Sequence, residues 1–298
     1  MANDPLNILV LGGGPDRERE ISLRSSAAVA AGLRQAGHRV IEADVTPDQL
    51  DALDTPCDAV FAILHGRWGE GGMLQRIMEV RGLKFVGAGS HTAATAMDKA
   101  ASKKVAEGLG VPTAPWQHLG ARTPLTMKAP LVLKALTEGS SYGIYICKTE
   151  AEVESSRVEL HKHFAFGLAE RFIPGREITV GIVGHTILPP IEIVPKTEFY
   201  DLQAKYTRND TGYNFEIDLP ARVLDQLKEY AWKIHTGIGS RHLGRVDFIV
   251  DAQQQPWFLE INTLPGFTDH SLVPKAAAKI GWSMAQLCDK IIRLALAG

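Results

Sequence analysis

The stretch FLEINTLPG, residues 258–266, decides how the rest of the chain is interpreted. It has the apolar pattern of a strand, carries Glu260 and Asn262 two residues apart, and ends at a proline and a glycine. Alternate residues of a strand share one face, so these two polar side chains are expected on the same side of a sheet. Because a carboxylate in an apolar segment is costly without compensation, Glu260 needs a partner from elsewhere in the chain.

The preceding strand pattern, GRVDFIV, supplies that partner. If the turn of the predicted hairpin is centred near residues 252–255, Asp247 lies opposite Glu260 and Arg245 lies opposite Asn262. Two carboxylates directly across a ladder repel each other, and a divalent cation between them would remove this cost. Two carboxylates and an amide oxygen suit Mg²⁺ that is shared with substrate phosphates. An Asp–Arg salt bridge beside a solvated glutamate is the alternative that this segment leaves open.

Size and composition place the chain among ordinary soluble proteins. Its 298 residues suffice for two or three domains, and its hydrophobic and charged contents are 45% and 22%. The formal net charge is −2, which gives no field to attract nucleic acid or an anionic membrane. We therefore expect neither nucleic acid nor a membrane as a partner, although a local cationic pocket stays possible.

Cysteine usage and the N-terminal residues predict a cytoplasmic protein. Cys57, Cys147 and Cys288 are far apart and lack metal-ligand spacing, as expected in a reducing compartment. The first residues, MANDPLNILVLGGG, do not form a basic segment followed by a long apolar one, as a signal peptide would. No apolar run approaches the roughly 20 residues that a membrane-spanning helix needs.

The N-terminal part of the chain has the pattern of a parallel sheet covered on both faces. Strand patterns NILVLGGG, RVIEADV, DAVFAILHG and KFVGAG alternate with helical ones. Ligands of such sheets bind at the carboxyl ends of the strands, where residues 12–19 and 65–72 fall. The glycines of GGGPDRE lack the G-x-G-x-x-G spacing, so a dinucleotide site is disfavoured.

Two further units follow. The second begins with a predicted helix over residues 98–109 and continues with the strand APLVLKAL, the loop TEGSSYG and a polar helix from about residue 150. The third begins near residue 177 with antiparallel strand patterns, an amphipathic helix and the acidic hairpin. The predicted fold class is therefore α/β, with an α+β arrangement in the C-terminal part.

The second unit contains a candidate phosphate-binding segment. Lys134 precedes EGSSYG, and the backbone N–H groups of such a loop can surround an anion beside a lysine. The segment is not a Walker A motif, and Lys134 alone could be a lysine that extends its ammonium to solvent. Lys99 in MDKAASKK and Lys205 in AKY are further candidates. Only their combination with the acidic hairpin indicates a nucleoside triphosphate site.

Eight stretches in order resemble the D-alanine–D-alanine ligases of the ATP-grasp superfamily, over nearly the whole chain. They are LGGGPDREREISLRS, LHGRWGEGGMLQ, GVPTAPW, EGSSYG, FYDLQAKY, GRVDF, FLEINTLPG and HSLVP. The resemblance implies an N-terminal doubly wound, Rossmann-like (pre-ATP-grasp) domain, residues 1–95. A two-part ATP-grasp fold would follow, with a central subdomain, residues 96–176, and a C-terminal subdomain, residues 177–298.

The same resemblance implies an activity. Members of this family are ATP-dependent, carbon–nitrogen bond-forming ligases that join two D-alanines, through an acylphosphate, for peptidoglycan precursors. ATP first converts the carboxylate into a better electrophile, and the second amine then attacks it to give a tetrahedral oxyanion. Relatives are commonly homodimers, so a homodimer is expected as well.

The resemblance also assigns residues to ATP and metal. Lysines would contact the phosphates, serine backbone would surround the transferred phosphoryl group, and the remaining residues would line the adenine and ribose sites. The ATP-binding residues would be Lys99, Lys134, Ser140, Ser141, Glu170, Arg171, Ile173, Glu177 and Lys205. Two Mg²⁺ ions, for which Mn²⁺ could substitute, would be bound by Asp247, Glu260 and Asn262.

For the amino-acid substrates, the resemblance implies one carboxylate for the first ammonium group and an arginine with a backbone N–H for the oxyanion. The substrate-binding residues would be Glu18, His65, Arg245, Gly266, Ser271 and Leu272. The catalytic residues would be Glu18, Ser140, Tyr206, Arg245 and Gly266. Ser140, Tyr206 and Glu18 would form a hydrogen-bonded set that closes a mobile loop of roughly residues 197–216.

Each of these residues also has a structural alternative. Glu18 could stabilise the start of the helix that follows it, and Ser271 could be an N-cap. His65 could be a core histidine bonded to backbone, and Tyr206 could be a packing residue.

Two bulky residues, Trp68 and Tyr142, depart from the family pattern, and if they lie near substrate they leave the choice of amino acids open. The alternative functions are therefore an ATP-grasp ligase for another D-amino acid or D-lactate, and a nucleotide-binding protein without turnover.

Overall fold

A parallel sheet covered on both faces forms the first part of the molecule. The structure, a computed structural model, describes residues 4–140, 142–194 and 212–297. The first part contains β1 (Asn7–Gly12), α1 (Arg19–Gln35), β2 (Arg39–Asp44), β3 (Ala59–Ala62), α2 (Gly66–Glu70) and α3 (Met73–Val80). The strand order is β2–β1–β3, with both pairings parallel.

Alternation along β1 explains why both faces of this sheet are covered. Ile8 and Val10 belong to one core cluster, Leu9 and Leu11 belong to another, and all four are at most 1% exposed. The predicted doubly wound arrangement is therefore confirmed. The predicted fourth strand, KFVGAG, is wrong, because among the described residues this segment makes only one isolated bridge, between Val60 and Phe85.

Two helices connect the first sheet to a second, antiparallel sheet. The elements are α4 (Ser90–Met97), α5 (Lys99–Gly108), β4 (Trp116–Gly120), β5 (Leu131–Ala135), β6 (Ile144–Cys147), α6 (Glu150–His163) and β7 (Phe166–Arg171). Asp98 separates α4 from α5 and caps α5, since its carboxylate accepts hydrogen bonds of 2.9 Å from the backbone N–H groups of Ala100 and Ala101. The sheet order is β4–β7–β5–β6.

The third sheet is also antiparallel and holds the acidic hairpin. Its strands are β8 (Gly175–Val183), β9 (Thr186–Ile187), β10 (Ile191–Val194), β11 (Gly212–Asn214), β12 (Leu243–Asp251) and β13 (Pro256–Asn262). The order is β11–β10–β8–β12–β13, and β9 pairs with β8. The accompanying helices are α7 (Ala221–Gly237), α8 (Leu272–Lys279) and α9 (Met284–Ala297).

The end of the predicted mobile loop is ordered as a strand. Residues 212–214 form β11 and pair with β10, so the prediction of a loop through residue 216 is wrong there. Residues 197–211 of that loop lie outside the described residues.

One hydrophobic core joins the first and third parts of the chain. It contains Ile8 and Phe61 from the first sheet together with Val183, Leu243 and Ile291 from the third part. The second sheet has a separate core under α6, which includes Leu160. Within the described ranges, no helix has the length and apolar character needed to cross a membrane. The proposed domain boundaries after residues 95 and 176 stay predictions.

Candidate active site

Two cavities meet at Glu260 on β13. The larger, about 370 Å³, lies between the second and third sheets, with walls from β5, β6 and β7 on one side and β8, β10 and β13 on the other. The smaller, about 90 Å³, lies where the first part of the chain meets the other two. Glu260 lines both, so a ligand in one cavity can reach a ligand in the other at this residue.

The smaller cavity brings together most of the residues that the sequence assigned to substrate and catalysis. Its lining includes ten of the predicted site residues, which come from all three parts of the chain. They are Glu18, His65, Lys99, Ser140, Arg245, Glu260, Asn262, Gly266, Ser271 and Leu272.

Glu18 and Ser140 link the first part of the chain to the glycine- and serine-containing loop of the second. Ser140 Oγ donates a hydrogen bond to Glu18 Oε1 across 122 residues of sequence. Glu18 stands at the N-cap position of α1, but its side chain makes no capping hydrogen bond. Helix capping therefore does not account for the position of this carboxylate.

His65, Gly266 and Ser271 form another wall of the smaller cavity. A Cβ atom on Gly266 would lie 3.0 Å from Ser271 Oγ, a tight contact, and 3.8 Å from His65 Nε2, so the backbone of residue 266 lies close to both side chains. Among the described residues, His65 Nε2 is buried without a hydrogen-bond partner. Burial lowers the pKa of His65 to about 4, and Arg245 acts in the same direction. His65 is therefore neutral at neutral pH.

The alternative role of Ser271 as an N-cap is only partly right. It occupies the N-cap position of α8, as the sequence allowed, but its side chain does not cap the helix. Instead, Ser271 Oγ accepts a hydrogen bond of 2.9 Å from the Thr268 backbone N–H.

The acidic hairpin has the cross-strand pairing that the sequence predicted at the site. Asp247 pairs with Glu260, and Arg245 pairs with Asn262. Nearer the turn the prediction is off by one residue, because a bulge at Leu259 shifts the register, and Phe248 pairs with Phe258. Bulges locally change the direction of side chains, and here four consecutive residues of β13, 257–260, line the larger cavity.

Asp247 also forms the salt bridge that was the alternative interpretation of this segment. Arg245 donates from Nη2 to Asp247 Oδ2 at 2.8 Å and from Nε to Oδ1 at 3.0 Å. Thr179 Oγ1 donates to Asp247 Oδ1 at 2.5 Å. Glu260 and Asn262 line the smaller cavity, whereas Asp247 is only 4% exposed and lines neither. The oxygen donors suit a hard divalent cation, and Asp247 would share its carboxylate between that cation and Arg245.

The larger cavity is lined by five of the predicted nucleotide residues. Lys134, Glu170, Arg171, Ile173 and Glu177 line it, together with apolar side chains of β5, β6 and β13. A cleft that combines apolar walls with a limited number of polar and charged groups is the usual form of a cofactor site.

One acidic residue of the smaller cavity was missed by the sequence interpretation. Glu70 lies at the end of α2, and its Oε1 accepts a hydrogen bond of 3.1 Å from the Gly66 backbone N–H. Burial raises the pKa of Glu70 to about 8, and the nearby Glu18 carboxylate acts in the same direction. The signal was present in HGRWGE, which precedes a helix at a strand end, but only packing shows that Glu70 faces Glu18.

Three predicted site residues cannot be placed, and one suspected substrate contact is wrong. Ser141, Lys205 and Tyr206 lie outside the described residues. Trp68 is 6% exposed and packs in the core under the first sheet, so it does not line either cavity. The Arg17 guanidinium carbon lies 3.8 Å from the centroid of the Tyr142 ring, and both residues are close in sequence to those of the Glu18–Ser140 contact.

Comparison with known proteins places the chain in a family. Residues 107–293 match the family model described as the C-terminus of D-ala D-ala ligases. The chain is 40% identical to a D-alanine–D-alanine ligase of Bordetella avium, over 95% of this chain and 92% of that protein.

Solved structures agree with this. A D-alanine–D-alanine ligase from Bacillus anthracis has a TM-score of 0.87 at 29% identity and 98% coverage of both chains, and a complex of that ligase with ATP scores 0.84. The VanG D-Ala:D-Ser ligase from Enterococcus faecalis has a TM-score of 0.86 at 25% identity, with 98% of this chain and all of that chain covered.

The fold and these matches define an ATP-grasp ligase, whose two antiparallel sheets enclose the larger cavity. Within that class, the chain belongs to the D-alanine–D-alanine ligase family.

Proposed function

We propose that this protein joins two D-alanine molecules to D-alanyl-D-alanine with conversion of ATP to ADP, for peptidoglycan precursor synthesis. The observation that carries the proposal is the meeting of the two cavities at Glu260. One cavity is large enough for a nucleotide, and the other is small and lined by charged groups that suit amino-acid ammonium and carboxylate groups.

The residues of the larger cavity, together with Lys99 and the loop at residues 140–141, would hold ATP. Lys99 and Lys134 would contact its phosphates, and the backbone of residues 140–141 would surround the transferred phosphoryl group. Arg171 and Ile173 would line the adenine, and Glu177 would hold the ribose. The position of Lys99 supports its assignment to the phosphates, since its Nζ donates a 2.5 Å hydrogen bond to the Glu138 carbonyl at the start of that loop.

The acidic hairpin would hold divalent cations beside the phosphates. Glu260 and Asn262 would be ligands from β13, and Asp247 would be a ligand from β12. Mg²⁺, or Mn²⁺ in its place, supplies charge that offsets the transferring phosphoryl group when it is bound. The facing register of Asp247 and Glu260 supports this assignment.

The residues of the smaller cavity would orient the two amino acids. Glu18, held by Ser140, would bind the first ammonium group, with the neutral His65 nearby. Arg245 and the Gly266 N–H would stabilise the oxyanion, a contact often worth about 3 kcal/mol. Ser271 and the Leu272 N–H at the start of α8 would bind the second carboxylate.

The remaining parts of the proposal follow from the family. Tyr206 would join Glu18 and Ser140 in closing the loop of residues 197–211 over the acylphosphate, where Lys205 would also contact ATP. Closure would exclude water. We further propose that the enzyme acts in the cytoplasm as a homodimer, without a nucleic-acid or membrane partner.

The test is an incubation of the purified protein with ATP, Mg²⁺ and D-alanine, followed by mass spectrometry of the products. ADP and D-alanyl-D-alanine should appear together in equal amounts. Glu260→Gln should reduce the rate at least about 100-fold, because a cation ligand is removed. The matched control, Glu154→Gln on the exposed side of α6, should retain wild-type activity.

A second candidate is a ligase that accepts another second substrate, which the structural match to a D-Ala:D-Ser ligase favours. D-Serine and D-lactate should therefore be supplied with D-alanine in the same assay. A mixed product formed faster than the D-alanine dipeptide would replace the first candidate with this one. Nucleotide binding without product from any of these substrates would contradict both.

A further inference from the structure

A cluster of three charged side chains lies at the floor of the larger cavity. Lys103 extends from α5 and is 1% exposed, and its Nζ lies 2.8 Å from Glu170 Oε2. The other carboxylate oxygen of Glu170 forms an ion pair with Lys134 Nζ. Lys134 and Glu170 line the cavity, whereas Lys103 lies behind them.

Lys103 is held in place from behind as well. Its Nζ donates a 2.5 Å hydrogen bond to Thr113 Oγ1, and that hydroxyl in turn donates to the Phe258 carbonyl at 3.1 Å. Phe258 belongs to β13, two residues before Glu260. The buried ammonium thus connects α5 with β7 and the strand that carries the acidic site.

Burying an ammonium group costs desolvation free energy, which nearby opposite charge must offset. Burial lowers the pKa of Lys103, and the Glu170 carboxylate opposes that shift. Burial also opposes ionisation of Glu170, but Lys134 and Lys103 outweigh it and lower the pKa of Glu170 to about 2. Each oxygen of Glu170 is paired with one lysine nitrogen, so the geometry is that of one carboxylate between two ammonium groups, with one surplus positive charge.

We propose that Lys103 is a positioning residue for the nucleotide: it neutralises Glu170 from behind, and this leaves the charge of Lys134 available to the phosphate chain. Without Lys103, Glu170 and Lys134 would form a neutral pair whose field at the cavity largely cancels. The proposal deepens the proposed function and rests on it, because it requires a nucleotide in the larger cavity.

The spacing of Lys99 and Lys103 along α5 indicates that both lysines act on the phosphate chain. Lys99 and Lys103 are four residues apart, so they lie on the same face of the helix, one turn from each other. Lys99 lines the smaller cavity and contacts the Glu138 carbonyl, whereas Lys103 supports the larger one. One helix thus places two positive charges beside the segment expected to bind phosphates.

The test compares ATP with adenosine, the nucleoside that lacks the triphosphate. Binding of ATP and of adenosine would be measured by isothermal titration calorimetry at one ionic strength, for the wild type and for Lys103→Met. Because the charge acts on phosphates, Lys103→Met should weaken ATP binding about tenfold or more and adenosine binding less than about threefold. Lys103→Arg keeps the charge and should retain the wild-type ratio of ATP to adenosine affinity.

A double variant separates charge from structure. In Lys103→Met/Glu170→Gln the carboxylate is removed together with the lysine that offsets it, so the charge of Lys134 is not neutralised. The preference for ATP over adenosine should therefore return toward the wild-type ratio. The double variant also serves if Lys103→Met alone does not fold, since it leaves no unpaired buried carboxylate. Thermal unfolding of each variant would show which ones are folded.

Two outcomes would overturn the proposal. One is an equal loss of ATP and adenosine binding in Lys103→Met, which is what a purely structural lysine would cause. The other is a double variant that folds but does not regain the preference for ATP. If the wild type binds neither ligand, the proposed nucleotide site itself is wrong, and this result is distinguishable from both.

Discussion

At the scale of single residues, the site is defined by polar side chains that do not serve the helix next to them. Glu18 and Ser271 both occupy N-cap positions, yet neither side chain caps its helix. Glu18 is instead held by Ser140, and Ser271 by Thr268. The loss of an N-cap hydrogen bond usually costs about 1 kcal/mol of stability. These two helices therefore lack a stabilising contact at positions where the side chain faces the candidate site instead.

Glu70 provides a prediction at the same scale. Its pKa is about 8 in the folded protein and 4.5 in the unfolded chain, so between these pH values the folded state retains a proton that the unfolded state loses. This difference lowers the stability of the wild type as pH rises from 4.5 to 8. Glu70→Gln cannot ionise, so it should be more stable relative to the wild type at pH 8 than at pH 5, by about 2 kcal/mol.

The measurement is chemical denaturation of the metal-free protein at both pH values. About 2 kcal/mol is less than the full pKa difference would give, because Glu70 keeps some contact with solvent. Glu154→Gln is the control and should show no such dependence on pH. A difference between Glu70→Gln and the wild type that is the same at pH 5 and pH 8 would contradict the assigned environment of Glu70.

At the scale of elements, the turn after β1 is tied to the end of β2. Gly13 has φ +89°, and a Cβ there would lie 2.2 Å from Asp44 Oδ1. The same carboxylate oxygen accepts hydrogen bonds from the Gly14 and Val45 backbone N–H groups, at 2.9 and 2.7 Å. Asp44 therefore cannot move away without losing these bonds, and this turn leads directly into the segment that carries Glu18.

Gly13→Ala should destabilise the protein for two reasons that a control can separate. Gly37 has a similar φ, +94°, but nothing lies within 4 Å of an added Cβ. Gly37→Ala should cost about 1 kcal/mol from backbone strain alone. Gly13→Ala should cost about 2 kcal/mol more, because the new methyl group also displaces Asp44. Denaturant midpoints would measure both, and equal losses would show that Asp44 does not constrain the turn.

At the scale of the whole molecule, the distribution of hydrophobic cores predicts which parts unfold together. The first and third parts share one core, which contains Ile291 of α9, while the second sheet has its own core with Leu160. Contiguous packed units tend to open as one. The first and third parts should therefore open together, and the second sheet should open separately.

Hydrogen exchange of two core variants would check this. Leu160→Ala should cost about 3 kcal/mol locally and accelerate exchange in α6 and β4–β7, with little effect in β1. Ile291→Ala is the matched change in the shared core and should accelerate exchange in β1 and β12 together. Two results would show that the cores do not define the cooperative units. One is faster exchange in β12 but not in β1 for Ile291→Ala, and the other is faster exchange in every element for Leu160→Ala.

The sequence alone determined the features that depend on local geometry. A strand alternates its side chains and a short turn pairs its two strands, so Asp247 opposite Glu260 could be predicted from spacing, and the parallel first sheet could be predicted from alternating strand and helix patterns. The bulge at Leu259 changed the pairing near the turn without changing it at the site. The resemblance added the family and most of the cavity residues.

Only the tertiary structure decided which distant residues meet. The Glu18–Ser140 contact spans 122 residues, and the burial of Lys103 against Glu170 requires α5 to pack against the second sheet. Glu70 and Lys103 were missed because their neighbours in sequence do not show that folding buries them against other charges. Their protonation and their roles depend on solvent exclusion and on neighbouring charges, and both arise only when separate parts of the chain pack together.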